Sequence, residues 1–149
     1  MKQMQMAMIA DDLTGALDAG VCMLPSDVAV ATSSEHAAKL LSGRKPSVLS
    51  VNAGTRHMDA EAAYAEVASL VRLVRKAGCR SIFKKTDSVL RGNVGAELAA
   101  ALDASGAARL HFLPAFPAMG RTTEDGIQCV NGVPVAESAF GKDPFEPVH

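Results

Sequence analysis

The sequence is short of the residues that mark several common protein classes. It has no tryptophan, one tyrosine and three cysteines among 149 residues, and the cysteines form neither a C-x-x-C pair nor any metal-ligand spacing. We therefore expect no metal site, and reduced, buried thiols in a cytoplasmic protein. The hydrophobic fraction of 48% is nevertheless enough for the core of one domain.

A charge excess and a long apolar run are both missing. Basic residues number 15 and acidic residues 16, so the net charge of −1 gives no reason to expect nucleic acid or an anionic membrane as a partner. No apolar stretch approaches membrane-spanning length, and the N-terminus lacks the features of a signal peptide. We expect a small-molecule partner, and we leave open whether the chain forms a homo-oligomer.

Motifs for binding nucleotides are also absent. Neither G-x-x-x-x-G-K-[ST] nor G-x-G-x-x-G occurs in the sequence. If the protein uses a nucleotide, these residues therefore do not supply either of the two common phosphate-binding loops.

Strand-like and helix-like segments alternate along most of the chain. Such short alternating units predict an open parallel, Rossmann-like α/β sheet with helices on both faces. Asn131-Gly132 then indicates a type I′ turn in a C-terminal β-hairpin within residues 127–136. The expected strands are 6–10, 27–32, 46–54 (with a loop at its end), 81–85 and 109–116; the expected helices are 13–24, 34–43, one between Asp59 and Gly78, and 94–105, with N-caps at Ser34, Asp59 and Asn93.

Polar or glycine-rich segments follow four of the five expected strands. They are residues 11–12, 52–57, 84–93 and 114–123. Ligands of open parallel sheets bind at the carboxyl ends of the strands. We therefore expect these segments to form the functional site.

The acidic pair Asp11-Asp12 is the first of these segments. Adjacent carboxylates repel each other unless a cation or hydroxyl donors lie between them. The simpler interpretation is that Asp12 caps the next helix and Asp11 lies in solvent. A response-regulator receiver would need an aspartate after the third strand, which reads SVLSVNAGTR, and a haloacid-dehalogenase phosphatase would need D-x-D. Both of those classes are excluded.

The segment FKKTDSVLRGN is rich in charge. Lys84 and Lys85 leave a strand, so they point to opposite faces, one towards the site and one to a structural or solvent role. Lysine, Arg91 and the start of a helix together favour an anion such as a carboxylate or phosphate. The alternative is a salt-bridged surface loop. For the segment 114–123, ligand contacts from Arg121 to Thr123 and a rigid turn are equally open.

Together these motifs resemble those of the four-carbon acid sugar kinases. The resemblance implies ATP- and Mg²⁺-dependent phosphorylation of a tetronate such as threonate, erythronate or an oxo-tetronate. It also implies that residues 1–149 are an N-terminal sugar-acid-binding domain, itself incomplete, without the C-terminal nucleotide-binding domain. We therefore expect the chain alone to be inactive and to bind neither ATP nor Mg²⁺. The similar segments are IADDLTGALDAGV (9–21), NAGTR (52–56), KKTDSVLRGNVGAEL (84–98) and PAFPAMGRTTEDGIQCVNGVPVAES (114–138).

Substrate-binding residues follow from the resemblance, with Asp12 and Arg91 added as chemical neighbours. The acidic pair would accept hydrogen bonds from sugar hydroxyls, and the basic loop would bind the acid group. The alternative is a non-catalytic α/β ligand-binding or regulatory module for a small anionic polyol. A glycine-rich domain encoded after His149 would favour the kinase. The expected substrate-binding residues are Asp11, Asp12, Arg56, Lys85, Thr86, Asp87, Ser88 and Arg91.

Overall fold

The computed structural model describes residues 4–43 and 45–148, so residues 1–3, Arg44 and His149 lie outside the described part of the chain. The first part of the fold alternates strands and helices, as expected. These elements are β1 (Met6–Ala10), α1 (Leu13–Val21), β2 (Val28–Ala31), α2 (Ser34–Ser42), β3 (Val48–Asn52), α3 (Ala60–Lys76), β4 (Ser81–Lys85) and α4 (Val94–Ser105). Three further strands follow: β5 (Arg121–Glu124), β6 (Ile127–Val130) and β7 (Val133–Pro134).

Strands β1 to β4 form a parallel sheet in the order β2-β3-β1-β4. Ala10, the last residue of β1, pairs with Asn52 of β3 on one side and with Lys85 of β4 on the other. The three strands therefore end level, and the loops that follow them begin side by side. This arrangement confirms the predicted parallel α/β sheet.

Helices cover both faces of the sheet. Ala19 of α1 packs with Met8 and Val48 on one face. On the other face, Ile9 and Leu49 belong to a larger core shared with α2, α3 and α4. Alternate residues of β1 and β3 thus face different helices, which explains why β1 is apolar throughout and why β3 is apolar except for Ser50, whose hydroxyl donates to Ala16 O, and Asn52 at its end.

Side-chain caps begin three of the helices. Asp12 and Asp59 accept hydrogen bonds from the backbone N–H groups of Gly15 (2.7 Å) and Ala62 (2.8 Å). The cap of α2 is Ser33 rather than the expected Ser34, since the Ser33 hydroxyl accepts from His36 N. Asn93 stands at the N-cap position of α4, but its side chain makes no capping bond.

Several predicted boundaries were too long by a few residues. Helix α1 ends at Val21 rather than at 24, and β2 and β3 are shorter than expected. The helix between Asp59 and Gly78 is present, and Gly78 has the positive φ of a helix-ending glycine. No helix in the described ranges is long and apolar enough to cross a membrane.

The predicted fifth strand at 109–116 is wrong. This segment has no regular secondary structure, and only Phe116 makes a β-bridge, which is antiparallel to Arg121. Pro114 lacks an N–H, and the polar backbone atoms of Phe116 are bound to Arg121, so this end of the segment joins the antiparallel region. Strand β4 is consequently an edge strand, and its Phe83 is 46% exposed.

The C-terminal hairpin is confirmed and is part of a three-stranded antiparallel sheet, β5-β6-β7. Asn131 and Gly132 both have positive φ, as a type I′ turn requires. Asp125 and Gly126 make an equivalent turn between β5 and β6. The Asp-Gly pair is a standard hairpin signal that the sequence interpretation missed.

Candidate functional site

Arg56 connects the loops that follow three neighbouring strands. Its Nε donates to Asp11 Oδ2 at 2.9 Å and its Nη1 donates to Asp12 Oδ2 at 2.7 Å. Its Nη2 lies 3.9 Å from Asp87 Oδ1. Asp11 and Asp12 follow β1, Arg56 follows β3 and Asp87 follows β4, so one guanidinium contacts carboxylates that follow the adjacent strand β1 and the strand beyond it, β4.

Asp87 forms a second ion pair within its own loop. Arg91 donates to Asp87 through Nε and Nη2, both at 2.9 Å. The same carboxylate accepts from the backbone N–H groups of Val89 and Arg91. This bidentate geometry fixes the loop more firmly than a single ion pair would. The Arg91 fork is therefore already occupied by a carboxylate of the protein.

Burial and these arginines set the protonation of the site. Burial acts to raise the pKa of Asp87, but the hydrogen bonds and charge of Arg91, together with the charge of Arg56, outweigh it and hold that pKa below its ordinary value. Burial acts to lower the pKa of Arg56, but Asp11, Asp12 and Asp87 raise it overall. Asp87 and Arg56 are thus both ionised at neutral pH.

Close packing around Asp12 and Arg56 depends on two glycines. A Cβ on Gly15 would lie 2.8 Å from Asp12 Oδ1 and 3.5 Å from Lys85 Cγ. A Cβ on Gly92, where φ is +83°, would lie 3.2 Å from Arg56 O. Glycine therefore leaves room for the Asp12 carboxylate at the start of α1 and lets the β4 loop approach the backbone of Arg56.

Lys85 is engaged differently from the arginines. Its Nζ donates to Thr86 O at 2.6 Å, and it makes no ion pair with any residue that the structure describes. Lys85, Thr86 and Ser88 line a groove of about 560 Å³ between β4 and the 109–116 segment. A second hollow of about 370 Å³ is lined by Arg56, Arg91 and the C-terminal tail. The 86–93 loop therefore contributes to two concave surfaces.

The structure brings together Asp11, Asp12, Arg56, Asp87 and Arg91 in one charge network, with Lys85 beside it. Their role in binding a substrate stays a prediction. Asp11 is only 2% exposed, so the interpretation that it lies in solvent is wrong. Asp12 does cap α1, but it also binds Arg56, so the capping role does not keep Asp12 out of the network.

Residues 121–123 do not join the network. Arg121 donates to Met119 O, Thr122 pairs with Glu124, and Thr123 donates to Gln128. These contacts stay within the antiparallel region, which favours the rigid-turn interpretation. That region still touches the site, because Gln128 Nε2 donates to Ser88 O at 2.8 Å.

Sequence reasoning missed three supports of the 86–93 loop. Lys84 forms a buried ion pair with Glu97, and Asn93 donates to backbone carbonyls of the β3 loop. Val89 packs with Val135 and a further valine of the C-terminal tail. The one available signal was Glu97, a carboxylate on the helix VGAELAAALDAS, which is otherwise largely apolar.

A metal site was not expected, and no group of three potential metal ligands occurs within residues 4–43 and 45–148. The carboxylates of the network are already paired with arginine, which competes with a cation for the same oxygens. The described residues therefore do not fit Mg²⁺.

Comparison with known proteins places this geometry in a family. The model of the sugar-binding N-terminal domain matches residues 6–149. The chain is 39% identical over 146 residues to a D-threonate kinase of Salmonella typhimurium, covering 97% of this chain and 34% of that protein. It is 36% identical over 143 residues to a D-erythronate kinase of Heliobacterium modesticaldum, covering 95% and 33%. The chain spans about a third of the length of these curated relatives.

Solved structures agree with this result. A crystal structure from Bordetella bronchiseptica, described as a domain of unknown function with bound citrate in a domain-swapped dimer, has a TM-score of 0.89 at 35% identity. The match covers 97% of this chain and 37% of that one. These matches confirm the family resemblance of the sequence motifs. The chain belongs to the family of the sugar-binding N-terminal domain, whose matched relatives include tetronate kinases.

Proposed function

We propose that this chain is the sugar-acid-binding part of an ATP-dependent kinase that phosphorylates a tetronate such as threonate, erythronate or an oxo-tetronate. The observation that carries the proposal is the bridging position of Arg56, which binds Asp11 and Asp12 and approaches Asp87 at the carboxyl edge of the sheet. This is the edge at which open parallel sheets bind ligands.

The charges of the network suit a ligand with several hydroxyl groups and one acid group. Three carboxylates (Asp11, Asp12 and Asp87) face two arginines that are already paired. Both oxygens of Asp12 and Oδ1 of Asp87 accept one hydrogen bond each and retain a lone pair for a hydroxyl donor, whereas Oδ2 of Asp87 already accepts three. Lys85, which has no ion pair among the described residues, is then the cation available for the acid group. Arg91 can assist from its exposed side, since its guanidinium is fixed by Asp87.

The relatives support the same ligand class. Their names include D-threonate, D-erythronate and 3-oxo-tetronate kinases, and a structural relative holds citrate, which is also a hydroxy acid. In this proposal, ATP and Mg²⁺ would be bound by another part of the kinase, because the described residues hold no group of three metal ligands and the sequence has neither of the two common phosphate-binding loops. The swapped dimer of that relative supports a homo-oligomer as part of the proposal.

Two capping aspartates provide a matched test of the site. Asp12 and Asp59 both cap a helix, but only Asp12 also binds Arg56. Serine retains a capping oxygen at either position and removes the charge. We expect Asp12→Ser to weaken the binding of D-threonate or D-erythronate by about 1.5–3 kcal/mol, the value of a charged hydrogen bond, or roughly ten- to a hundred-fold.

Isothermal titration calorimetry of the chain with D-threonate, D-erythronate and 3-oxo-tetronate measures this effect. Asp59→Ser should bind as the parent does. The proposal would be overturned if the parent bound none of the three acids. It would also be overturned if Asp12→Ser and Asp59→Ser weakened the binding of these acids equally.

A further inference from the structure

Lys84 and Glu97 form the most deeply buried ion pair in the described residues. Lys84 Nζ lies 2.5 Å from Glu97 Oε2, and the two side chains are 3% and 1% exposed. Lys84 is on β4 and Glu97 is in the first turn of α4. The pair is separate from the Arg56 network, and the proposed binding of a sugar acid does not use it.

Stability alone does not explain this pair. Desolvating two charges costs free energy that their attraction often fails to recover, and apolar replacements of similar size are often as stable. Glu97 Oε1 is also buried and has no hydrogen-bond partner among the described residues, which adds to the cost. Its place near the start of α4 recovers part of that cost, since a helix N-terminus favours an anion.

The position of the pair indicates another role. Lys84 precedes the 86–93 loop and Glu97 follows it, so the ion pair joins the two ends of the loop directly. Lys84 Nζ also donates to Lys85 O at 2.8 Å, which fixes the first peptide group before the loop. At the other end, Glu97 N donates to Asn93 O.

Asn93 extends this connection to the β3 loop. Its side chain donates to Thr55 O at 3.1 Å and to Met58 O at 2.8 Å, on both sides of Arg56. The ends of the 86–93 loop are therefore fixed relative to Arg56. Between those ends, Leu90 has a positive φ, a conformation that a leucine keeps only when its surroundings hold it.

We propose that Lys84 and Glu97 are positioning residues for the 86–93 loop. By joining the two ends of this loop, they hold Asp87 and Arg91 against Arg56. The ligand in this inference rests on the proposed function, but the effect on the loop does not. A positioning error of about 1 Å in such a site weakens function strongly even when the altered residues do not touch the ligand.

The double variant Lys84→Met/Glu97→Leu separates positioning from stability, because it replaces the ion pair by apolar side chains of similar length. We expect its melting temperature to stay close to that of the parent. The backbone amides of Val89 and Arg91, which donate to Asp87, should exchange hydrogen at least about tenfold faster relative to the amide of Ile9 in the core. The dissociation constant for D-threonate should rise roughly ten- to a hundred-fold.

Two further variants keep the result decisive. Lys45→Met is the matched control, because Lys45 Nζ is also part-buried and donates to Ala77 O before β4 begins, away from the site; it should leave the loop amides and tetronate binding unchanged. Glu97→Gln keeps the shape if the double variant does not fold, and the exchange ratio of Val89 to Ile9 should still rise. Unchanged loop exchange in a folded variant would overturn the inference. If the parent binds no tetronate, the proposed function fails and the exchange ratio still decides this inference.

Discussion

The parallel unit (residues 6–105) and the C-terminal unit (residues 116–148) are stabilised in different ways. The parallel unit has a continuous core in which Leu70 and its neighbours are fully buried. The C-terminal unit has only a small cluster around Val135 and exposes large apolar side chains such as Phe145. One unit supplies its own core, whereas the other depends on what it packs against.

What the C-terminal unit packs against is the 86–93 loop. Val89 of the loop packs in one cluster with Val135 and Val148. Gln128 donates to Ser88 O, and Arg91 Cζ lies 5.9 Å from the centroid of the Phe140 ring. The 86–93 loop is therefore held from two sides. The parallel unit fixes its ends, and the C-terminal unit covers its middle.

The largest expected effect is in the core of the parallel unit. Leu70→Ala should lower the free energy of unfolding by about 2–5 kcal/mol, because it removes buried methyl groups and leaves a cavity. The molecules that remain folded should bind D-threonate as the parent does, since the core cluster that contains Leu70 includes no residue of the 86–93 loop. Denaturant unfolding measures the first quantity and calorimetry the second. A loss of affinity without a loss of stability would contradict the comparison.

A smaller effect is expected in the C-terminal unit. Val135→Ala should cost about 1–2 kcal/mol in the free energy of unfolding, in line with the loss of two methyl groups. Unlike Leu70→Ala, it should also weaken tetronate binding, because Val135 packs on Val89 of the loop. The same two measurements provide the check. If Val135→Ala left binding unchanged, the C-terminal unit would not support the site.

The smallest effect concerns pH. Because the folded protein holds the pKa of Asp87 below its ordinary value of 3.8, this group adds stability that is present above about pH 4 and is lost as the pH falls through the lower pKa. The free energy of unfolding of the parent should therefore fall more steeply below about pH 4 than that of Asp87→Asn. Glu61→Gln, at an exposed position, gives the reference for losing one surface carboxylate. Parallel pH curves for parent and Asp87→Asn would contradict the assignment.

The parallel unit was largely predictable from the sequence because its signals are local. Periodic apolar residues identified α3, and the apolar run MAMIA identified β1. The segment 109–116 (RLHFLPAF) is also rich in apolar residues, yet it forms no strand, because its last residue pairs with Arg121 instead. Strand formation there depends on a distant partner, and no local pattern reveals it.

The same difference between local signals and distant partners applies to the site. Convergence of Asp11, Arg56 and Asp87 was predictable, since the carboxyl ends of parallel strands meet at one edge. The contact of Arg56 with carboxylates that follow both β1 and β4 was not, because it depends on the strand order β3-β1-β4. The role of Glu97 was hidden for a related reason: its partner Lys84 is close in space only because α4 turns back beside β4.

The central claim is that the Arg56 network binds a sugar acid, and side-chain nuclear magnetic resonance tests it most directly. The Nε–H signals of Arg56 and Arg91 should shift and saturate as D-threonate is added, together with the amide of Val89. The Nε–H signal of Arg72, on the exposed side of α3, should stay in place. The account would be contradicted if the signals of Arg56, Arg91 and Val89 all stayed in place. It would also be contradicted if only the amide signals of Phe83 and Leu113, in the groove beside β4, shifted.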